Sequence, residues 1–258
     1  MSIISRAKRS EGGLGEFARL IIHAGLIALV IRTVLFQPFN IPSGSMKGTL
    51  LVGDYLFVSK FSYGYSHYSL PLSPPLFSGR IFGGEVNRGD VVVFRLPADD
   101  STDYIKRVVG LPGDRIQMIG GVLHINGQPV KREKVDDFED VVVVEDQNGR
   151  RREHRQRVTQ WRETLPNGVT YNTLALPYNL QADNTDVYQV PADHYFMMGD
   201  NRHNSTDSRF PQVGYVPYEN IVGRAQIIFF SVTEGERAWE LWRWPWSVRW
   251  SRLFSLVR

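Results

Sequence analysis

The sequence contains no cysteine, which excludes disulfide bonds, cysteine-ligated zinc and a thiol nucleophile. Basic residues barely exceed acidic ones, 30 against 27, and a net charge of +3 does not by itself indicate nucleic-acid binding. The six histidines have no metal-binding spacing such as His-Glu-x-x-His. No internal repeat or low-complexity segment is evident. We therefore expect a chain that uses no metal or other cofactor and binds no nucleic acid.

Long apolar runs are also scarce, and the one present extends from Phe17 to Phe36. A helix of this length, at ~1.5 Å per residue, spans a hydrocarbon core of roughly 30 Å, which predicts a transmembrane helix over 17–36. A cleaved signal peptide is the alternative, but no small-x-small cleavage site follows the run. Basic residues are more frequent before the run than just after it, so the positive-inside rule places residues 1–16 in the cytoplasm and residues 37–258 outside it.

Beyond residue 40, short runs of β-branched and aromatic residues alternate with Gly, Pro, Asn and Asp, which is typical of strands and hairpins. The clearest predicted strands are 54–60, 90–96, 104–109 and 225–230. Asn-Gly pairs that predict tight hairpin turns occur at 126–127, 148–149 and 167–168. Residues 62–84 lack periodicity and predict a long loop.

A balanced charge load distinguishes residues 131–163, which contain nine basic and nine acidic residues. This composition is typical of a solvated hairpin region rather than of a nucleic-acid surface. We predict that residues 120–190 form a peripheral β insertion. The fold class expected is therefore mainly β, behind one N-terminal transmembrane helix.

Five motif-like segments follow the apolar run. They are Pro-Ser-Gly-Ser-Met at 42–46, Gly-Asp-Tyr-Leu-Phe-Val-Ser-Lys at 53–60, Arg-Gly-Asp-Val-Val-Val-Phe at 88–94, Tyr-Ile-Lys-Arg-Val-Val-Gly-Leu-Pro-Gly-Asp at 104–114 and Gly-Asp-Asn-Arg-His-Asn-Ser-Thr-Asp-Ser-Arg at 199–209. In order and spacing, and in following a membrane anchor, they resemble bacterial signal peptidase I over about residues 30–230.

The resemblance implies a membrane-anchored serine endopeptidase with an extracytoplasmic all-β catalytic domain. Such an enzyme removes N-terminal signal peptides from exported preproteins after small residues, in the Ala-x-Ala pattern. It further implies the bacterial inner (cytoplasmic) membrane, a single pass with a periplasmic or otherwise extracytoplasmic catalytic domain, contact with the lipid bilayer and a monomeric state.

The resemblance also implies a role for individual residues. Ser45 would be the nucleophile, Lys106 its general base, Ser43 a donor to the oxyanion and Ser205 the residue that orients Lys106. The implied scaffold of the active site is Asp207, Arg209, Arg107 and Asp200. The implied substrate-binding residues, whose bulk would admit only small side chains, are Phe39, Ile41, Met46, Leu50, Tyr104 and Ile105. Each of these six could instead be a core residue.

Physical chemistry supports the same pair independently. A serine hydroxyl is a weak nucleophile unless a neighbour takes its proton, and a lysine can do so only if burial lowers its pKa. Lys106 meets this requirement if it shares a strand face with Tyr104 while Arg107 points away. Gly44 allows the backbone to approach closely, so that the Ser45 amide could face an oxyanion. Taken alone, these segments could also be a charged strand edge and a surface turn.

Two residues depart from the family pattern, namely Gly48 where proline is usual and His203 where an acid is usual. Ser5-x-x-Lys8 matches a penicillin-binding motif, but no Lys-Thr-Gly element accompanies it. An inactive peptide-binding β domain and a processing enzyme dedicated to one substrate remain alternatives.

The C-terminal residues 237–258 form a Trp- and Arg-rich segment. Five of the six tryptophans lie within the last 20 residues. Apolar residues recur there at three- and four-residue steps, namely Trp239, Trp242, Trp246, Trp250, Leu253 and Val257. This spacing predicts a basic amphipathic segment in two helical pieces, the second beginning near Pro245, that lies at the membrane interface. The alternative is that the segment packs on the β domain.

Overall fold

The structure is a computed structural model that describes residues 14–145, 151–176 and 181–258. Residues 1–13 of the predicted cytoplasmic segment and the predicted Asn148-Gly149 turn lie outside the described residues. Helix α1 (Leu14–Val30) continues into a π-helical turn (Ile31–Leu35), and the chain becomes extended at Phe36. Within the 21 residues Gly15–Leu35, an 18-residue stretch has a mean hydropathy of 1.9 and is nowhere buried, so by length and composition this helix could cross a membrane. An apolar helix is present where the sequence predicts one, with slightly different ends, and its crossing of a membrane stays a prediction.

The rest of the described chain is mainly β, as predicted. The strands are β1 (Phe36–Asn40), β2 (Asp54–Ser59), β3 (Val91–Arg95), β4 (Asp103–Gly110), β5 (Arg115–Ile119), β6 (Val122–Ile125), β7 (Gln128–Pro129), β8 (Lys131–Lys134), β9 (Phe138–Glu145), β10 (Arg151–Thr164), β11 (Thr170–Ala175), β12 (Tyr188–Gln189), β13 (His194–Met198), β14 (Val216–Pro217), β15 (Ile221–Ser231) and β16 (Ser255–Leu256). Short 3-10 turns occur at Gly44–Met46, His67–Ser69, Gln181–Asp183, Tyr218–Asn220, Leu241–Arg243 and Trp250–Arg252.

One antiparallel sheet carries the site, with strand order β1-β2-β15-β3-β4-β13-β14 and β16 added to β15. The four predicted strands are confirmed as β2, β3, β4 and β15, all central in this sheet. Both faces of the sheet are covered at β3. Its side chains point alternately to the two faces, and both sets are buried. Val91 and Val93 belong to one hydrophobic cluster, whereas Val92 and Phe94 belong to another. This double burial explains why β3 is a continuous apolar run.

The turns are confirmed in part. At the β6–β7 hairpin, Asn126 and Gly127 have φ of 53° and 81°, as a type I′ turn requires. At the β10–β11 hairpin, Gly168 has φ of 85° but Asn167 lies outside the left-handed region, and the loop is longer than two residues. The loop 62–84 contains one 3-10 turn and is anchored by the buried Tyr63.

The segment 120–190 is not wholly peripheral, because part of it is buried against the main sheet. Its inner residues Leu123, Ile125 and Leu165 share a hydrophobic cluster with Val109 of β4 and Phe196 of β13. The prediction of a peripheral insertion therefore needs this correction. The charged residues of 131–163 dominate the composition, while the apolar residues that bury the segment are spread singly along several strands. We keep the name insertion for residues 120–190.

The C-terminal segment 237–258 does not form the predicted amphipathic helices. Helix α2 (Trp244–Ser247) begins beside Pro245, as predicted, but has only one turn. Backbone hydrogen bonds to the main sheet replace helical ones, from Arg249 N to Ser231 O (3.0 Å) and from Val257 N to Gln226 O (2.9 Å). The backbone thus packs on the β domain. Four tryptophan side chains nevertheless remain exposed, namely Trp239, Trp242, Trp246 and Trp250.

Candidate active site

Ser45 lies in the 3-10 turn Gly44–Met46, just after β1 leads the chain into the core through Ile41. Its Oγ accepts a hydrogen bond of 2.8 Å from Lys106 Nζ on β4. The Oγ of Ser43 lies 3.3 Å from the Oγ of Ser45. The structure therefore brings together the predicted nucleophile, its predicted base and the predicted oxyanion donor, which come from two distant segments of the chain.

Lys106 is buried, with 4% of its surface exposed. Its Nζ also donates to the carbonyl of Ile105 (2.9 Å) and lies 5.2 Å from the ring centroid of Tyr104, so the two side chains share a face as predicted. No described residue forms a salt bridge with Lys106. Burial lowers the pKa of Lys106 from 10.5 to about 8, against the opposing attraction of Asp207 and Asp200.

Ser205 lies in the loop 199–209, which packs directly on the nucleophile turn. A Cβ at Gly199 would overlap Ser205 Oγ and would lie 2.6 Å from Ser45 O, so only glycine allows this approach. The Oγ of Ser205 donates to Asp207 Oδ2 (2.9 Å). Among the described residues no hydrogen bond joins Ser205 to Lys106, although both line the same cleft. The orienting role of Ser205 stays a prediction.

Asp207 is fully buried and holds the loop together. It accepts from Arg209 Nε (2.8 Å) and Nη2 (2.9 Å), and from the backbone N–H of Gly199 (3.0 Å). Burial alone would raise the pKa of Asp207, but the Arg209 guanidinium and these hydrogen bonds outweigh burial and hold that pKa below its ordinary value. The carboxylate therefore stays charged and keeps its partners.

Arg107 follows Lys106 on β4 and points to the other face of the strand. It is completely buried and donates to Asp200 through Nε (2.9 Å) and Nη2 (2.8 Å) and to Gly89 O through Nη1 (2.7 Å). Burial would lower the pKa of Arg107, but Asp200 raises it above its usual value. The backbone N–H of Asn201, next to Asp200, donates to Ser45 O (3.0 Å). The structure thus connects Arg107 to the nucleophile turn, which fits the predicted scaffold.

A cleft of about 770 Å³ opens beside Ser45 and Lys106. Four of the six predicted substrate-binding residues line it: Phe39, Ile41, Tyr104 and Ile105. Met46 and Leu50 do not line it but are completely buried in the core. Prediction from the sequence missed several lining residues, mostly neighbours of the recognised motifs: Asn40, Pro42, Val93, Thr102, Asp103, His203, Asn204, Thr206 and Phe210.

Two strand edges face this cleft. β1 pairs with β2 along one edge, and its Phe39 and Asn40 line the cleft. β13 pairs with β4 only at Arg107, Val108 and Gly110, so the first half of β4 has an edge that β13 does not cover. Unpaired strand edges are sites at which an extended peptide can add by backbone hydrogen bonds.

The structure accounts for both departures from the family pattern. The backbone conformation explains Gly48, and hydrogen bonds to the insertion explain His203. Gly48 has φ of 110°, which proline cannot adopt, and a Cβ there would lie 2.8 Å from Asn172 O of the insertion. His203 accepts a hydrogen bond from Leu176 N through Nδ1 (2.9 Å), and its Nε2 contacts the Asp183 carboxylate (2.8 Å). In the part of the chain that the structure describes, no three His, Asp or Glu side chains could hold a metal ion.

Comparison with known proteins gives consistent matches. The family model described as signal peptidase, peptidase S26, matches residues 14–230. Signal peptidase I of Rickettsia conorii is 45% identical over 232 residues, covering 87% of this chain and 81% of the relative. The Rickettsia typhi relative is 43% identical, covering 89% and 88%, and the Rickettsia prowazekii relative 41%, covering 98% and 96%. A crystal structure of signal peptidase I from Enterococcus faecalis is 23% identical, with a TM-score of 0.31, covering 54% of this chain and 96% of that one.

Proposed function

This chain belongs to the signal peptidase family, peptidase S26, whose members cleave signal peptides from secreted proteins, and we propose that it does so with a Ser45–Lys106 dyad. The observation that carries this proposal is the 2.8 Å contact between Ser45 Oγ and a buried lysine whose pKa is lowered to about 8. Such a lysine is partly neutral near working pH and can accept the serine proton.

The reaction proceeds in two steps. Neutral Lys106 takes the hydroxyl proton of Ser45 while Ser45 Oγ attacks the scissile carbonyl. The Ser43 hydroxyl and the Ser45 backbone N–H donate hydrogen bonds to the resulting oxyanion. The Lys106 ammonium then gives its proton to the leaving amine, which releases the mature protein and leaves an acyl-enzyme. In the second step, Lys106 takes a proton from water, the water oxygen attacks the ester, and the proton returns to Ser45 as the signal peptide leaves.

The substrate is proposed to bind as an extended strand between the edges of β1 and β4. Phe39, Ile41, Tyr104 and Ile105 would border the pockets for the residue before the scissile bond and for the residue two positions earlier. Their bulk leaves little volume, which favours Ala, Gly or Ser at both positions. Met46 and Leu50 would support these pockets from beneath rather than contact the substrate.

Cleavage of an Ala-x-Ala precursor by the detergent-solubilised chain tests the proposal. Ser45→Ala and Lys106→Met should each abolish turnover, and the double variant should be no slower than either, because the two residues act as one unit. Ser101→Ala and Lys131→Met, at exposed positions, are matched controls that should cleave normally. A wild-type chain that binds the precursor but leaves it uncut would instead favour an inactive peptide-binding domain.

The membrane arrangement is part of the proposal. Residues 1–16 lie in the cytoplasm, helix α1 crosses the inner membrane once, and residues 37–258 act outside the cytoplasm as a monomer. A row of aromatic contacts supports an interfacial position for one side of the domain. It runs from the end of the apolar helix to the C-terminal segment through Phe36, Phe57, Phe229, Tyr55, Phe230 and Trp244. The exposed tryptophans beyond it favour contact with lipid headgroups.

Fluorescence quenching in brominated-lipid vesicles tests that position. Tryptophan emission of the reconstituted chain should be quenched, and Trp161→Phe should leave the quenching unchanged. Replacing Trp239, Trp242, Trp246 and Trp250 with phenylalanine should remove most of it. Unquenched emission in the wild-type chain would mean that the C-terminal segment serves the fold alone.

A further inference from the structure

Three buried contacts, two ion pairs and one hydrogen bond between a histidine and a carboxylate, join the insertion to the segments that carry Ser45 and Ser205. In each pair the acid belongs to the insertion and the base to the catalytic segments. The pairs are Asp140–Lys47 (2.6 Å), Glu163–Arg202 (2.6 Å) and Asp183–His203 (2.8 Å). At least nine-tenths of every one of these side chains is buried. All three acids lie on the insertion and all three basic partners lie on the catalytic segments. Because these side chains are buried, solvation of surface charges does not explain the arrangement.

The first pair lies against the nucleophile turn. Lys47 closes this turn through a hydrogen bond from its backbone N–H to Gly44 O (3.1 Å). Its stem is packed so closely on Gly44 that a Cβ there would lie 3.1 Å from Lys47 Cε. The ammonium extends away to Asp140 and, at 3.3 Å, to Glu234. The position of Lys47 between these carboxylates therefore fixes the backbone two residues after Ser45.

The other two pairs lie on the loop that carries Ser205. Arg202 donates to both oxygens of Glu163, at 3.0 Å and 2.6 Å. His203 bridges two parts of the insertion, because its Nδ1 accepts from Leu176 N while its Nε2 faces Asp183. His203 also lines the substrate cleft, two residues before Ser205. The outer wall of the cleft is therefore held by the insertion.

Buried ion pairs of this kind do little for stability compared with apolar residues of similar volume, because desolvation offsets most of the attraction. What the three contacts provide is one defined register, since a buried charge or polar group that loses its partner is strongly penalised. We propose that the insertion is a positioning element of the active site, which acts through Asp140 on Lys47 and through Asp183 on His203. The effect on cleavage rests on the proposed function, whereas the effect on loop order does not.

Kinetics of the detergent-solubilised full chain are the first test. Asp140→Ala and Asp183→Ala should each lower kcat about tenfold with little change in KM, since small misplacements of a nucleophile slow the reaction steeply. The acidic limb of the pH profile should stay in place, because Lys106 keeps its surroundings. Glu139→Ala and Asp186→Ala, at exposed neighbouring positions, are the matched controls. Lys47→Arg, which keeps a charged partner for Asp140, should retain more activity than Lys47→Met.

Hydrogen exchange gives a readout that needs neither turnover nor full stability. Backbone amides of residues 43–50 should exchange faster in Asp140→Ala, and those of residues 199–209 faster in Asp183→Ala, relative to the two control variants. Exchange and kcat equal to those of the controls would overturn the proposal. Exchange that rises uniformly over the β domain would also overturn it, because the pairs would then serve global stability alone. If the wild-type chain fails to cleave, the dyad proposal fails, while the exchange result still decides this one.

Discussion

Two neighbouring basic residues on β4 are both buried but have different partners. Lys106 and Arg107 are both buried, at 4% and 0% exposure, and point to opposite faces of the strand. Burial lowers the pKa of Lys106 to about 8, whereas Asp200 outweighs burial at Arg107 and raises its pKa. The difference comes from the partners. Lys106 contacts a hydroxyl and a carbonyl, and Arg107 contacts a carboxylate through two nitrogens.

The comparison teaches that burial alone does not decide what a basic residue does. Without a carboxylate in contact, burial destabilises the charged form and leaves a group that can give up its proton. With one, the charge is retained and the pair becomes a fixed element of the structure. The loop 199–209 contains the second arrangement again, in Asp207–Arg209, close to the proposed base Lys106.

Lys106→Arg should have the largest effect on activity. Arginine keeps the positive charge but does not deprotonate in proteins, so the nucleophile loses its base. We expect kcat/KM to fall by about 10⁴-fold or more, measured on an Ala-x-Ala precursor. Activity within tenfold of the wild type would mean that another group takes the Ser45 proton.

Arg107→Met should cause the largest loss of stability. It leaves the Asp200 carboxylate buried without its partner, and breaking a buried ion pair in this way costs about 3–5 kcal/mol. Chemical denaturation of the solubilised chain should show this loss. Arg224→Met, at a partly exposed ion pair with Asp90, should cost about 1 kcal/mol or less. Equal losses in the two variants would mean that the buried Arg107–Asp200 pair stabilises the fold no more than a partly exposed pair does.

Lys106→Met should have the opposite effect on stability. The lowered pKa means that the folded state destabilises the Lys106 ammonium, so the variant should be more stable at pH 7, by about 1–3 kcal/mol. The wild type regains stability as pH rises from about 8 to 10.5, because its folded form loses the proton first. The advantage of the variant should therefore shrink over this window. A variant that is less stable than the wild type at pH 7 would contradict the account.

Lys60→Met should have the smallest effect on catalysis. Lys60 also has a pKa lowered to about 8, by burial and then by Arg32 and Arg95, and its Nζ donates to Ser69 O (2.6 Å). It does not line the cleft. We expect kcat/KM to change by less than about twofold once the folded fraction is matched. A large loss of kcat/KM that remains after the folded fraction is matched would make Lys60 a competing source of any pH dependence.

The sequence predicted the central strands from their periodicity, and it predicted that Ser45 and Lys106 meet because both lie in motifs of the family that the chain resembles. It did not predict the partners of those residues. Nothing near Lys47 in the chain indicates Asp140, because their contact depends on how the insertion folds back. Met46 and Leu50 match family positions for substrate binding, but the alternative that they are core residues fits the structure. The spacing in residues 237–258 favours helix, but hydrogen bonds to β15 decide the backbone there.

The pH dependence of kcat/KM is the most direct test of the central claim, that Lys106 is the base that activates Ser45. The rate should rise with pH along a single acidic limb with a midpoint near 8, since only neutral Lys106 can accept the proton. The limb should persist unchanged in Lys60→Met and in His203→Gln, which removes the titratable ring without adding a charge to the cleft. A limb that moves or disappears in either variant, or a rate independent of pH between 6 and 9, would contradict the assignment of Lys106.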